Sequence, residues 1–119
     1  MKKLGLLVAL LMFWSKSANA AFVEGLEDVP LPNDLTQIEN ASLSFGNEEI
    51  RLIENYLTSS SLNFVQVCRF YEETLPQIGW KKTKKGDGKI VFERDGEILE
   101  IGKESENPLV VRLTVKSKN

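Results

Sequence analysis

The sequence predicts an α+β domain in which one helix covers one face of an antiparallel sheet of five or six strands, in the chain order ββαβββ(β). Apolar residues recur with helical spacing over residues 64–75, and alternation with a period of two follows from residue 81 to the C-terminus. A hydrophobic fraction of 42% with 27% charged residues is typical of a globular chain. A sheet with one apolar face needs a covering layer, which the single helix supplies.

The first twenty residues have the pattern of an export signal. Met1-Lys2-Lys3 is positively charged, the next eleven or so residues are almost wholly apolar, and Ala18 and Ala20 are small residues at the two positions that a signal peptidase reads. An apolar run of this length falls short of the roughly twenty residues that span a bilayer. We therefore expect cleavage after Ala20, a periplasmic location and no transmembrane anchor after cleavage, with a retained segment as the alternative.

Removal of this segment makes the protein more acidic. Residues 1–20 contain three lysines and no acid, so cleavage moves the formal net charge from −2 to −5. Residues 21–80 then carry ten acids against two bases, whereas residues 81–119 carry ten bases against seven acids. A molecule polarised in this way can orient on a charged partner.

Two segments make up the mature chain. Residues 21–40 contain two prolines and no sustained period, which predicts an extended N-terminal arm, and residues 41–119 are predicted to form a single α+β domain. The apolar residues of the arm that we expect to dock on the core are Phe22, Val29, Leu31, Leu35 and Ile38. Within the domain, strands over 41–45 and 50–57 flank a turn at Gly46-Asn47 and predict a first hairpin.

The clearest helix signal begins at Asn63. This residue and Gln66, three positions later, form a capping-box pattern, and Pro76 ends the helix because it cannot continue one. The apolar residues that recur at spacings of three and four are Phe64, Val67, Cys68, Tyr71 and Leu75. The spacing places them on one face, which we expect to be buried.

Turn signals set the register of the C-terminal strands. Gly86-Asp87-Gly88 and Asp95-Gly96 are both typical of tight hairpins. A two-residue turn at Asp95-Gly96 places Arg94 opposite Glu97, Phe92 opposite Leu99 and Ile90 opposite Ile101. The four apolar residues of these pairs then share one face of the sheet, and a slip of the register by one position would expose them. Alternation of Leu109, Val111, Leu113 and Val115 predicts a last strand with the same buried face.

The inventory of reactive side chains is small. Histidine is absent and Cys68 is the only cysteine, which excludes triads that use histidine and metal sites that use histidine ligands. We expect Cys68 to be a buried, inert thiol on the helical stripe. The acidic pairs Glu48-Glu49 and Glu72-Glu73 are typical of solvated faces. The sequence thus implies no catalytic residue, no metal and no cofactor.

A dense group of lysines is the main candidate binding site. Its members are Lys81, Lys82, Lys84, Lys85 and Lys89. One interpretation is a docking patch for an anionic surface or an acidic envelope protein. The alternative is an edge strand that uses lysines to prevent pairing with other chains. Nucleic acid is excluded as a partner because the mature chain is net negative and the lysines have no interleaved aromatic residues.

Two aromatic residues are further candidates. Phe70 lies at the margin of the helical stripe, and Trp80 precedes the lysine-rich strand. Each is either part of the core or an exposed binding residue. A domain of this size needs its large side chains buried, which favours the core.

The run Phe70 to Trp80, FYEETLPQIGW, and the segment EDVPLP at 27–32 resemble small exported proteins of Gram-negative, chiefly alphaproteobacterial, type that have no assigned activity. Those proteins combine a signal peptide, a Val-Pro-Leu segment, a short hairpin and an FYxxxLPxxGW helix exit. This sequence departs from that pattern at Asn33-Asp34 and in a shorter hairpin loop around Gly46. The resemblance implies export and the fold, and it transfers no catalytic residue.

Together these observations predict a non-catalytic periplasmic domain that binds a ligand or serves as an envelope-associated scaffold. Two alternatives remain open at this point. One is a small hydrolase that uses carboxylates brought together by the fold, and the other is a subunit of an envelope protein complex.

Overall fold

A computed structural model of the protein describes residues 21–38, 43–46 and 51–118. The N-terminal strands are β1 (Ala21–Val23), β2 (Leu26–Leu31), β3 (Thr36–Gln37), β4 (Leu43–Gly46) and β5 (Arg51–Ser59). They are followed by the helix α1 (Phe64–Thr74), a 3₁₀ turn (Leu75–Ile78) and the strands β6 (Lys81–Gly86), β7 (Lys89–Arg94), β8 (Glu97–Glu106) and β9 (Leu109–Ser117). The predicted α+β class is confirmed, with one helix and an antiparallel sheet in the described residues.

The main sheet has seven strands in the order β3-β5-β9-β8-β7-β6, and β4 also pairs with β5, beside β3. Strands β6 to β9 form a meander in which each strand pairs with the next. β9 then pairs with β5, so the connection through α1 carries the chain from one side of the meander to the other. This arrangement leaves β6 at the edge of the sheet.

The register of the β7–β8 hairpin is the predicted one. Phe92 lies opposite Leu99 and Ile90 opposite Ile101, and all four side chains are fully buried. The turn between the strands has positive φ at both central residues, 48° and 79°, the conformation that an Asp-Gly pair tolerates. The four alternating apolar residues of β9 are buried on the same face, as predicted.

The helix begins and ends where the sequence indicates. The Asn63 side chain accepts a hydrogen bond from the Gln66 backbone N–H, and the Gln66 side chain accepts one from the Asn63 N–H, which completes the capping box. After Thr74 the chain tightens into the 3₁₀ turn at Pro76 and leaves it through Gly79, whose φ is 96°. The predicted stripe from Phe64 to Leu75 is buried against the sheet.

The segment predicted as an extended arm is more structured than expected. β1 and β2 form a two-stranded hairpin of their own around Gly25, whose φ is 81°, and β3 joins the main sheet. Val29 and Leu35 are buried in the core as expected. The expectation that Phe22 docks on the core is wrong, since its side chain is 51% exposed. Successive strand residues point to opposite sides, and in β1 the buried position belongs to Val23.

The β1–β2 hairpin covers the same face of the sheet as α1. The Tyr71 hydroxyl donates to the carbonyl of Pro30 at 2.8 Å, which joins the helix to the hairpin. The buried Asn55 amide donates to the carbonyl of Glu24 at 3.0 Å and accepts from the Gln37 amide at 2.6 Å, which joins the hairpin to β5. Among the described residues no element covers the opposite face, which we call the open face.

Candidate functional site

β6 carries four of the five predicted lysines along the edge of the sheet, and its six residues are all exposed. The fifth, Lys89, begins β7. This placement agrees with the interpretation of a lysine-guarded edge strand, and it leaves docking of a partner open. Within the described chain, β6 pairs with β7 alone.

A β-bulge divides the lysines of β6 between the two faces of the sheet. The register shifts between Lys82 and Lys84, so Thr83 is an extra residue in the strand. Lys82 lies opposite Phe92 and Lys85 opposite Ile90, which places both on the helix-covered side. The single patch that the sequence suggested is therefore two groups of side chains that face apart.

Glu72 of α1 neutralises part of the helix-side group. Its carboxylate contacts Lys82 Nζ at 2.7 Å and Lys85 Nζ at 3.1 Å. The hydrogen bonds from these two lysines hold the pKa of Glu72 below its usual value. The three groups together carry one positive charge.

The open-face group consists of Lys81, Lys84 and Lys89. Lys81 lies opposite Glu93 and Lys84 opposite Val91, both of which face away from the helix. Lys89 contacts Glu100 at 3.4 Å. No ion pair or side-chain hydrogen bond joins Lys81 or Lys84 to any other residue that the structure describes.

Glu100, in the middle of the open face, also bridges two lysines. Its carboxylate contacts Lys116 at 3.1 Å as well as Lys89. Burial acts to raise the pKa of Glu100, but the hydrogen bonds and charges of Lys116 and Lys89 outweigh it and hold the pKa below its usual value. Two glutamates, one on α1 and one on β8, thus each contact two lysines.

Neither aromatic candidate is fully exposed. Trp80 is 1% exposed and the guanidinium carbon of Arg94 lies 4.3 Å from the centroid of its ring. Phe70 is partly buried and packs against the core, with its ring edge-on to Tyr71 at a centroid distance of 5.0 Å. Trp80 therefore belongs to the core, and Phe70 packs against it.

Arg94 connects three elements of the fold, a role that the sequence did not predict. Its guanidinium donates to the carbonyl of Ile78 at 2.9 Å and contacts the carboxylate of Asp28 at 2.6 Å. A Cβ on Gly79 would lie 3.2 Å from Cδ of Arg94, so the glycine leaves room for this side chain. Arg94 therefore ties the helix exit and the β1–β2 hairpin to β7. The sequence predicted only that Arg94 lies beside the Asp95-Gly96 turn, opposite Glu97.

Arg94 lines two shallow clefts. One, of about 370 Å³, is lined by Gly79, Lys81, Glu93, Arg94, Asp95, Gly96 and Lys118. The other, of about 340 Å³, is lined by Gly25, Leu26, Asp28, Arg51 and Arg94. Glu93 is ion-paired to Lys118 at 2.9 Å and Asp28 to Arg94, so these acids serve to balance neighbouring cations.

Cys68 is a buried thiol on the core side of α1, 4% exposed. Burial raises the pKa of the thiol, which disfavours the reactive thiolate. We expect iodoacetamide to alkylate Cys68 in the native protein at least about a hundredfold more slowly than after denaturation. Mass spectrometry of timed samples measures both rates, and comparable rates would contradict the burial of this side chain.

No three potential metal ligands of the types His, Cys, Asp and Glu cluster together in the described part of the chain. No helix in the described ranges has both the length and the apolar character needed to cross a bilayer.

Comparison of the chain with protein-family models, with curated proteins and with solved structures finds no match. The resemblance to small exported bacterial proteins therefore stays a prediction. The fold and the site together define a small α+β domain with a cationic sheet edge.

Proposed function

We propose that this protein is a non-catalytic binding or scaffolding domain that works in the periplasm after removal of residues 1–20. Its binding surface is the outer strand β6 with the adjoining part of the open face. The observation that carries the proposal is the pair Lys81 and Lys84, two exposed cations without an acid partner among the described residues. Exposed charges placed in this way steer and orient an oppositely charged partner.

The hydrolase alternative has less support than binding. It needs two carboxyl groups in one cleft, one of them with a raised pKa. The acids in the cleft beside β6 are Glu93 and Asp95, and Glu93 is held by Lys118. Where a carboxyl pKa is shifted in the described residues, at Glu72, Glu100 and Glu106, it is lowered. Membership of an envelope protein complex remains compatible with a binding role.

Crosslinking in intact cells tests the proposal. We expect a photo-crosslinking amino acid at position 86, where a Cβ would meet no atom within 4 Å, to join this protein to a partner near Lys84, identified by mass spectrometry. The double variant K81Q/K84Q should lose this adduct, whereas K82Q/K85Q, with the same charge change on the same strand, should retain it. The free energy of unfolding of both variants should lie within about 1 kcal/mol of that of the parent, because the replaced lysine side chains are exposed.

Cell fractionation on the same samples tests the location. Mature protein in the periplasmic fraction, shortened by the first twenty residues, is the expected result. An abundant, folded protein that yields no adduct near Lys84 would contradict the binding role, and full-length protein confined to the cytoplasm would contradict the export.

A further inference from the structure

The bulge in β6 creates two lysine pairs of the same spacing. In a regular strand, residues three positions apart point to opposite faces. The extra residue Thr83 changes this, so that Lys82 and Lys85 share the helix side while Lys81 and Lys84 share the open face. The two pairs are related by a shift of one residue, and each encloses the bulge.

Two other pairs of lysines in the structure each contact a single carboxylate. On the helix side a single carboxylate, that of Glu72, contacts both lysines. On the open face the carboxylate of Glu100 contacts Lys89 and Lys116 in the same manner. The Lys81–Lys84 pair has the same composition as these two, and no described acid bridges it.

A second copy of the chain is a poor occupant for this edge. Antiparallel pairing of two β6 strands would bring lysines close to lysines, which is destabilising. An anionic lipid surface also fits less well than a protein segment. The large apolar side chains that are exposed in the described residues are Phe22, Val65 and Ile78, so none of them lies on β6.

We propose that β6 binds an acidic, extended segment of a partner protein, with one carboxylate of that segment bridging Lys81 and Lys84 as Glu72 bridges Lys82 and Lys85. This proposal rests on the proposed binding function and names the chemistry of the partner. An extended segment beside β6 reaches the lysines with alternate side chains. Such a segment also places acids among cations, where a second β6 strand would add further cations.

A peptide titration followed by NMR tests this inference. The probe is a capped hexapeptide of alternating threonine and glutamate, and its control has glutamine in place of glutamate. We expect the glutamate peptide to shift the backbone amide resonances of β6 in the purified protein. K81Q/K84Q should weaken the binding about threefold to tenfold, and K82Q/K85Q should change it by less than about twofold at 0.15 M salt.

Each other outcome overturns the inference. Equal weakening by the two double variants would show that the net charge of the strand, and not the Lys81–Lys84 pair, determines binding. Equal shifts with the glutamine peptide would exclude a carboxylate contact. Absence of shifts at millimolar peptide, or binding only to vesicles that contain phosphatidylglycerol, would exclude an acidic protein segment. If crosslinks near Lys84 persist in cells after any of these results, the proposed binding function stands with a partner of other chemistry.

Discussion

Replacement of Phe92 by alanine is expected to lower the free energy of unfolding by about 3–5 kcal/mol. Phe92 is fully buried in β7, opposite Leu99, on the face that α1 and the β1–β2 hairpin cover. Truncation removes most of a large apolar side chain and leaves a cavity that the surrounding strands can fill only in part. Because small domains are stable by about 5–15 kcal/mol, this one change can remove a large share of the total.

Urea unfolding followed by circular dichroism measures this loss. Val65→Ala is a suitable control because Val65 lies on α1 with its side chain 64% exposed, and we expect a change within about 0.5 kcal/mol. A loss below about 1 kcal/mol for F92A would contradict the position of Phe92 in the core. The predicted pairing of β7 with β8 would then also lose its support.

Trp80→Ala is expected to be similarly destabilising, by about 3–5 kcal/mol, and to leave partner binding by the folded protein unchanged. Trp80 fills the space between the helix exit and the sheet, and Arg94 covers its ring. Its indole N–H has no hydrogen-bond acceptor among the described residues, so most of its contribution comes from packing. Trp80→Phe should therefore cost less than Trp80→Ala.

The same crosslinking assay separates stability from binding. At a temperature at which the Trp80→Phe variant is fully folded, its adduct near Lys84 should form as in the parent. Loss of the adduct in this folded variant would show that Trp80 takes part in binding, contrary to its burial. Retention of the adduct would confirm that Trp80 serves the core.

The C-terminal half of the fold could be predicted from the sequence because its local sequence signals agree with one another. The Asp95-Gly96 turn and the apolar alternation on both sides of it specify the same register, and the structure has that register. The capping box at Asn63 and the stop at Pro76 bound the helix in the same local way. Each of these features depends on residues close together in the sequence.

The N-terminal segment and the sheet order depend on contacts that are distant in the sequence. The β1–β2 hairpin was not predicted, because its segment contains Pro30 and no sustained alternation of apolar residues. Its turn at Gly25 also has no strong sequence signal. The pairing of β5 with β9 joins residues fifty or more positions apart, and no local pattern indicates it. The predicted strand residues 41, 42 and 50 and the predicted turn residue 47 lie outside the described part of the chain.

The candidate site could be predicted in composition but not in geometry. The sequence located the lysines and offered an edge strand as one interpretation, and the edge position is what the structure has. The bulge at Thr83 could not be foreseen, because one extra residue depends on how β6 pairs with β7. Without the bulge Lys81 would share a face with Thr83 in place of Lys84. The separation of the lysines into one bridged pair and one unbridged pair follows from it.

The most direct test of the binding surface compares two adjacent positions of β6. A photo-crosslinking amino acid is introduced in intact cells at position 86, on the open face, or at position 85, on the helix side, so that Lys81 and Lys84 are both kept. We predict an adduct with a partner from position 86 and little or none from position 85, although both positions are exposed on the same strand. Equal adducts from the two positions, or an adduct from position 85 alone, would contradict the assignment of binding to the open face.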